Sequence, residues 1–294
     1  MTNELYTLTR QFDRAIVPVI KETPSGMSLL PLNTDYRGLG KSAVRVPQYQ
    51  ARGSARIGFE IMKTAGDGVD LLGFDTKIAV IQDDATIKRT DWEAFIENGV
   101  PISNDLAMDM TKNIQATVDD LIYQGWAQNA TTYDIKGLYQ VAGTATTGAD
   151  FGTFGNALKS VNAAIADLED AGVYSPGHIL ALNKTQYSQL GSSISSGVVE
   201  LTEVLKALGT GGRVVKNSRV TVDYGLCFPA PLDVNRPYFD IVETVPPFHD
   251  VYFADNSKTA DIKVRQLTRL GVRFKHQTSS GTGTDTAVSK ISSI

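Results

Sequence analysis

Apolar residues recur at three- or four-residue steps in the stretch ISNDLAMDMTKNIQATVDDLIYQ, where Leu106, Met110, Ile114, Val118 and Leu121 share one face. That is the period of an α-helix with one buried side. Ser103 or Asn104 is placed to cap its start, and Gly125 to end it. At about 1.5 Å per residue, roughly 22 residues make a rod of about 33 Å, the longest helix the pattern predicts. A shorter helix is expected just before it in TDWEAFIENG, with Thr90 or Asp91 as N-cap and Gly99 as the stop. Past Gly125 the pattern breaks into a polar loop with one apolar knot from Ile135 to Leu138.

The second half alternates helix and strand, then turns to strand. TFGNALKSVNAAIADLEDAG places Leu158, Val161, Ile165 and Leu168 on one side of a helix that Gly172 ends. HILALN reads as a buried strand, Asn183 as the cap of KTQYSQL, and GVVELTEVLKALG as a further helix. From Arg213 onward, RVVKNSRVTVDYGL, YFDIVETV, DVYFAD and DIKVRQLTRLGVRFKHQ read as strands. QTSSGTGTDTAVSKISSI reads as a low-complexity polar tail, expected to be mobile at least in part.

The first fifty residues read as an arm, because Pro18, Pro24, Pro31 and Pro47 and the glycines between them interrupt regular structure. Apolar clusters at Ile57–Met62 and Ile78–Ile81 around AGDGVD then predict the two sides of a long hairpin. A two-stranded ribbon buries too little to stand alone and needs a partner. The fold class is therefore α+β, with helices in the middle and strands at both ends.

Composition narrows the function. A chain of 294 residues, 42% hydrophobic, can form one large or two modest domains. With 20% charged residues and a net charge of −4, the overall balance does not mark a dedicated nucleic-acid binder. Charge is uneven, however: residues 1–56 hold eight Lys and Arg against four acids, which leaves −8 for the remainder. Such a basic segment suits a polyanion or an acidic neighbour. The single Cys227 excludes an intrachain disulfide, and with no signal sequence at the start it fits a reducing cytoplasm. No apolar run approaches the roughly 20 residues needed to cross a bilayer.

Candidate chemistry is sparse. His178, His249 and His276 are scattered and make no metal-ligand spacing. RGLGKS ends like a phosphate-binding loop at Gly40, Lys41 and Ser42, but Asp35 stands where the first glycine belongs. GSSISSG has Ser195 in place of the second glycine of a nucleophile elbow, and GTGGR (209–213) reads as a solvent-facing turn. Asp119 and Asp120 point about 100° apart on a helix, so they make no facing carboxylate pair. Two acids near a helix C-terminus oppose its dipole, which calls for a partner such as an arginine. No catalytic, cofactor or metal site is expected.

The order of these parts resembles the tailed-phage major capsid and encapsulin superfamily, the HK-ninety-seven-like shell fold. The match is carried by Asp119, Asp120, Ile122, Tyr123 and Gly125, then by Ile135, Gly137 and Leu138, then by Tyr174, Pro176 and ILALN. FDRAIVPVIKETPSGMSLLPL is similar to the arm of some members. The resemblance implies an N-terminal arm (1–49), an extended hairpin loop (50–90), a peripheral domain with a long spine helix (91–147 and 244–294) and an axial domain (148–243). It further implies a non-enzymatic major capsid protein that self-assembles into an icosahedral shell around the double-stranded DNA of a tailed virus. The glycine- and serine-rich region beyond Tyr174 and the long arm favour a viral member. Implied partners are copies of itself as pentamers and hexamers, scaffold, portal or decoration proteins, and packaged DNA by non-specific contact, with no membrane. The expected location is the virion, after assembly in the host cytoplasm, with any scaffold a separate protein. Two other readings stand beside it: an encapsulin-like nanocompartment around a cargo enzyme, and a soluble α+β enzyme in which Asp119, Asp120 and His178 are the residues to test.

Overall fold

The computed structural model describes residues 26–38, 42–49, 71–98, 102–127, 135–142, 144–231, 238–254, 260–274, 287–292 and 294. The arm up to residue 25, the Ile57–Met62 cluster, the AGDGVD turn, Gly40, Lys41 and His276 lie outside these residues.

A 3-10 turn at Gly26–Ser28 leads to β1 (Leu32–Asn33) and β2 (Ala43–Tyr49). β3 (Leu71–Lys77), β4 (Ala79–Ile87), α1 (Arg89–Asn98) and the long α2 (Ile102–Gln124) follow. The short α3 (Leu138–Val141) and β5 (Thr144–Thr147) precede α4 (Asn156–Asp170), β6 (His178–Leu182) and α5 (Lys184–Ser192). A small ribbon of β7 (Ile194–Ser195) and β8 (Val198–Val199) opens α6 (Glu200–Ala207). The remainder is strand: β9 (Arg213–Lys216), β10 (Tyr224–Pro229), β11 (Phe239–Phe253), β12 (Ile262–Phe274) and β13 (Ser289–Ser292).

Two sheets organise the molecule, one ordered β1-β11-β12-β4 and the other β5-β13-β10-β6-β9. α2 packs on the first through the predicted stripe: Met110, Ile114, Val118 and Leu121 are buried, against β4 and β12. β12 answers with strict alternation, burying Ile262, Val264, Gln266, Thr268 and Leu270. α4 packs on the second sheet with Ala157, Val161, Ala164 and Leu168 buried and Leu158 and Ile165 partly so. β6 is buried at every position, and Asn183 caps α5 by accepting the Thr185 amide at 3.2 Å. Helix α1 begins at Arg89, two or three residues earlier than a cap at Thr90 or Asp91 implies, and Asp261, remote in sequence, accepts the Arg89 amide at 3.0 Å. The α+β class is the observed one.

Three expectations need correction. The hairpin pairs Ala43–Tyr49 with Leu71–Lys77, running from Ala43↔Lys77 to Tyr49↔Leu71, while Ile78–Ile81 leads into β4, which pairs with β12. Pro47 counts against a strand in sequence, but a two-stranded ribbon leaves alternate amides out of its ladder, so a proline fits there. The polar tail, expected to be mobile at least in part, holds a strand where it is described. β13 lies between β5 and β10, with Ala287, Val288 and Ile291 fully buried, so the segment expected as 244–294 peripheral is divided between the two sheets. Its serines hid a short alternating strand. Finally, the turn at 209–213 is more than a solvent-facing loop. Gly209 bridges Gly177, and a Cβ on Gly177 would lie 2.0 Å from the Thr210 carbonyl oxygen.

Candidate functional site

The C-terminal end of α2 is where the sequence placed its candidate residues. The helix stops at Gly125, whose φ of +71° suits glycine and whose amide still reaches the Leu121 carbonyl at 3.0 Å. The chain then returns as a two-residue bridge, Trp126 and Ile135 exchanging amide–carbonyl bonds of 2.8 and 3.0 Å. Gly137 fits against the helix end: a Cβ there would lie 2.3 Å from the Gly125 nitrogen and 2.7 Å from the Tyr123 oxygen. The Gln140 side chain accepts the Gly137 amide at 3.0 Å and starts α3. The two glycine-containing segments that carried the family resemblance are thus one packed junction.

The adjacent acids part company there. Asp120 pairs with Arg219 at 3.3 Å, both side chains substantially exposed, so the bond adds little stability. Asp119 is buried and accepts the Gly26 amide and, at 3.3 Å, the Asn217 side-chain amide. Burial raises its pKa, with these hydrogen bonds and Arg219 pulling the other way. The Tyr123 hydroxyl beside it is fully buried, with the Asn217 side chain near it but out of good hydrogen-bond geometry; burial raises its pKa as well. The expected arginine therefore serves Asp120, while Asp119 is held chiefly by neutral donors.

The loop after β9 completes the junction. Asn217 accepts the Arg219 amide at 2.7 Å, Gln124 donates to the Arg219 carbonyl at 3.0 Å, and the Tyr139 hydroxyl accepts the Thr221 amide at 2.7 Å. The helix that covers one sheet is thereby tied to a turn of the other. The entering chain is fastened beside it: Leu29 and Leu30 are buried, β1 pairs in parallel with β11, and Arg37 meets Glu243 at 2.6 Å. Tyr36 packs under Arg273, which pairs with Asp240 in nearly complete burial. The sequence hid this junction, because apart from the Asn217–Arg219 turn its bonds join distant segments.

The other candidates remain apart. His178 starts β6, is 3% exposed, and burial lowers its pKa. His249 lies on β11. Ser195 belongs to the β7–β8 ribbon. Cys227 is fully buried, its thiol pushed up to about 12. Among the described residues no three His, Cys, Asp or Glu side chains gather where they could hold a metal ion, and no helix is long and apolar enough to cross a membrane. An open groove of about 640 Å³ runs between β4 and the end of α2, bordered by Lys77, Ile81, Leu121 and Trp126.

A family profile described as "Encapsulating protein for peroxidase" matches residues 74–227, just over half of the chain. No curated protein matches. Among solved structures, the chain is similar to a virus-like particle from Pyrococcus furiosus at 15% identity, covering 96% of this chain and 98% of that one with a TM-score of 0.61. It is similar to the capsid of Myoviridae phage XM1 at 13% identity, covering 93% and 94%, with a TM-score of 0.69. Microbacterium phage Oxtober96 gives 14% identity, coverage of 92% and 91%, and a TM-score of 0.66. At these identities the likeness is one of fold.

Proposed function

This chain belongs to the family of encapsulating proteins for peroxidase and has the fold of phage capsid subunits, and from that premise we propose that it is the major capsid protein of a tailed virus. Copies assemble as pentamers and hexamers into an icosahedral shell that encloses double-stranded DNA. The observation that carries the reading is the β2–β3 ribbon, a two-stranded sheet that among the described residues is hydrogen-bonded to neither larger sheet. Such a ribbon buries too little apolar surface by itself and is completed by another copy. In this reading residues 1–49 and 50–78 clasp neighbours. The four-stranded sheet with α1 and α2 forms the peripheral domain, and the five-stranded sheet, including β13, gathers around the capsomer axes. The basic first 56 residues meet DNA by salt-sensitive contacts. Asp119, Asp120 and His178 are structural, and the subunit performs no catalysis. Scaffold, portal and decoration proteins are its further partners, and the virion its location.

The family match favours a second reading, a nanocompartment shell around a protein cargo. Particle content separates the two. Negative-stain imaging of the purified chain should show closed shells, and particles from the native source should hold nuclease-protected DNA under the first reading and a co-purifying protein under the second. A chain that stays monomeric under every assembly condition overturns both.

A further inference from the structure

Two glutamines on α5 are left half-satisfied. Gln186, only 1% exposed, donates its side-chain Nε2 to Asp223 at 3.2 Å, and the half-buried Gln189 donates to Asp150 at 3.3 Å. The Oε1 of each is buried and has no hydrogen-bond partner among the described residues. An ionised carboxylate only accepts, so it holds each amide with the nitrogen toward the aspartate. Turning either amide over would break that bond, and the orphaned oxygen is therefore a fixed feature of the site. Residues three apart on a helix are surface neighbours, so the two oxygens belong to one patch. Burying such acceptors without a donor is costly.

The two aspartates come to this patch from opposite sides. Asp150 follows β5 and Asp223 precedes β10, and the end of β13 lies between them: the Gly148 amide reaches the Ser292 carbonyl at 2.8 Å, and the Ile294 amide the Asp223 carbonyl at 3.3 Å. Each carboxylate spends only its Oδ1 on hydrogen bonds among the described residues, Asp150 on the Gly152 amide and Gln189, and Asp223 on Gln186. Neither has an ion pair among the described residues. Both side chains are exposed, which leaves the patch a way in from solvent.

We propose that this end of the five-stranded sheet binds a calcium ion, held by the Oε1 atoms of Gln186 and Gln189 and the Oδ2 atoms of Asp150 and Asp223. All four donors are hard oxygens, with no nitrogen or sulfur, the set that suits calcium over zinc or copper. Two neutral amides and two carboxylates balance the charge of a divalent cation, and water fills the remaining positions. Only two of the donors are acids, in keeping with the lack of any cluster of three among the described residues. The ion would tie α5 to the loops that follow β5 and precede β10. The site lies within one chain and stands apart from the shell reading.

The test follows the melting temperature of the chelator-stripped chain as calcium chloride is added to about 1 mM, the weak end of protein calcium sites. Calcium should raise the wild-type value by about 2 °C or more, and magnesium at the same concentration by less. Asp150→Asn and Asp223→Asn each remove a charged ligand and keep the local backbone: asparagine can still accept the Gly152 amide at 150, and it tolerates the φ of +65° at 223. Each variant should lose at least half of the calcium-dependent rise. Because that rise is read against the same variant without calcium, a general loss of stability does not imitate the result. No rise in the wild type would mean that water fills the patch, and overturns the proposal. An equal rise in both variants places calcium elsewhere and overturns it too, and a rise with magnesium as large as with calcium overturns the choice of ion.

Discussion

The buried carboxylate of Asp119 accepts the backbone amide of Gly26, 93 positions earlier in the chain. The entry of the first residues into the body is thereby fastened to the end of α2. Asp119→Ala strands this amide and the Asn217 side chain, at a cost of about 1–3 kcal/mol in a thermal or denaturant melt. Burial raises the pKa of Asp119 above its ordinary 3.8. Stability from a group so raised is fully present below the unfolded value and lost as pH rises through the folded one. Because Asp119→Asn does not titrate, the melting temperature of the wild type minus that of this variant should increase on acidification from neutral pH toward 3.8. A decrease would contradict the assignment.

Glu200 caps a helix to which it does not belong. Its Oε1 accepts the amides of Gly155 and Leu158 at the start of α4, at 3.0 and 3.1 Å, and its Oε2 accepts the Ser193 hydroxyl at 2.9 Å. Glu200→Ala should cost about 1–3 kcal/mol in urea unfolding without changing the slope of the transition. Glu200→Gln keeps one acceptor oxygen and should recover part of the loss.

The Asp240–Arg273 pair is buried to 2% and 5% exposure. Arg273→Met removes the guanidinium from a buried carboxylate and should cost about 3–5 kcal/mol. Adding Asp240→Leu should recover most of this, so a double-mutant cycle with strong coupling is the expected result.

His178 gives the opposite pH dependence to Asp119. Burial lowers its pKa below the ordinary 6.5, so its contribution is present above that value and lost as pH falls through the lowered one. The melting temperature of the wild type minus that of His178→Leu should therefore decline below pH 6.5. A flat difference would show that the imidazole titrates alike in the folded and unfolded chain, against the lowered value.

What the sequence revealed depended on whether the cause was local. The Leu106–Leu121 stripe, the buried HILAL strand and the Asn183 cap follow from periodicity and neighbouring residues, and all three are present. The β2–β3 pairing was misassigned because Pro47 is locally unfavourable, and β13 because serine-rich composition outweighed a four-residue alternation. Asp119 stood out in the sequence, but its partners Gly26 and Asn217 come from distant segments, and a single sequence carries no sign of that pairing. Glu200 drew no notice, since it looks like an ordinary first-turn acid of α6.

The position of β13 has a temporal consequence. Among the described residues β5 has no neighbour in its sheet other than β13, so this strand must wait for residues 289–292 to leave the ribosome before it can be zipped in. A nascent chain therefore cannot close the five-stranded sheet before those residues have emerged.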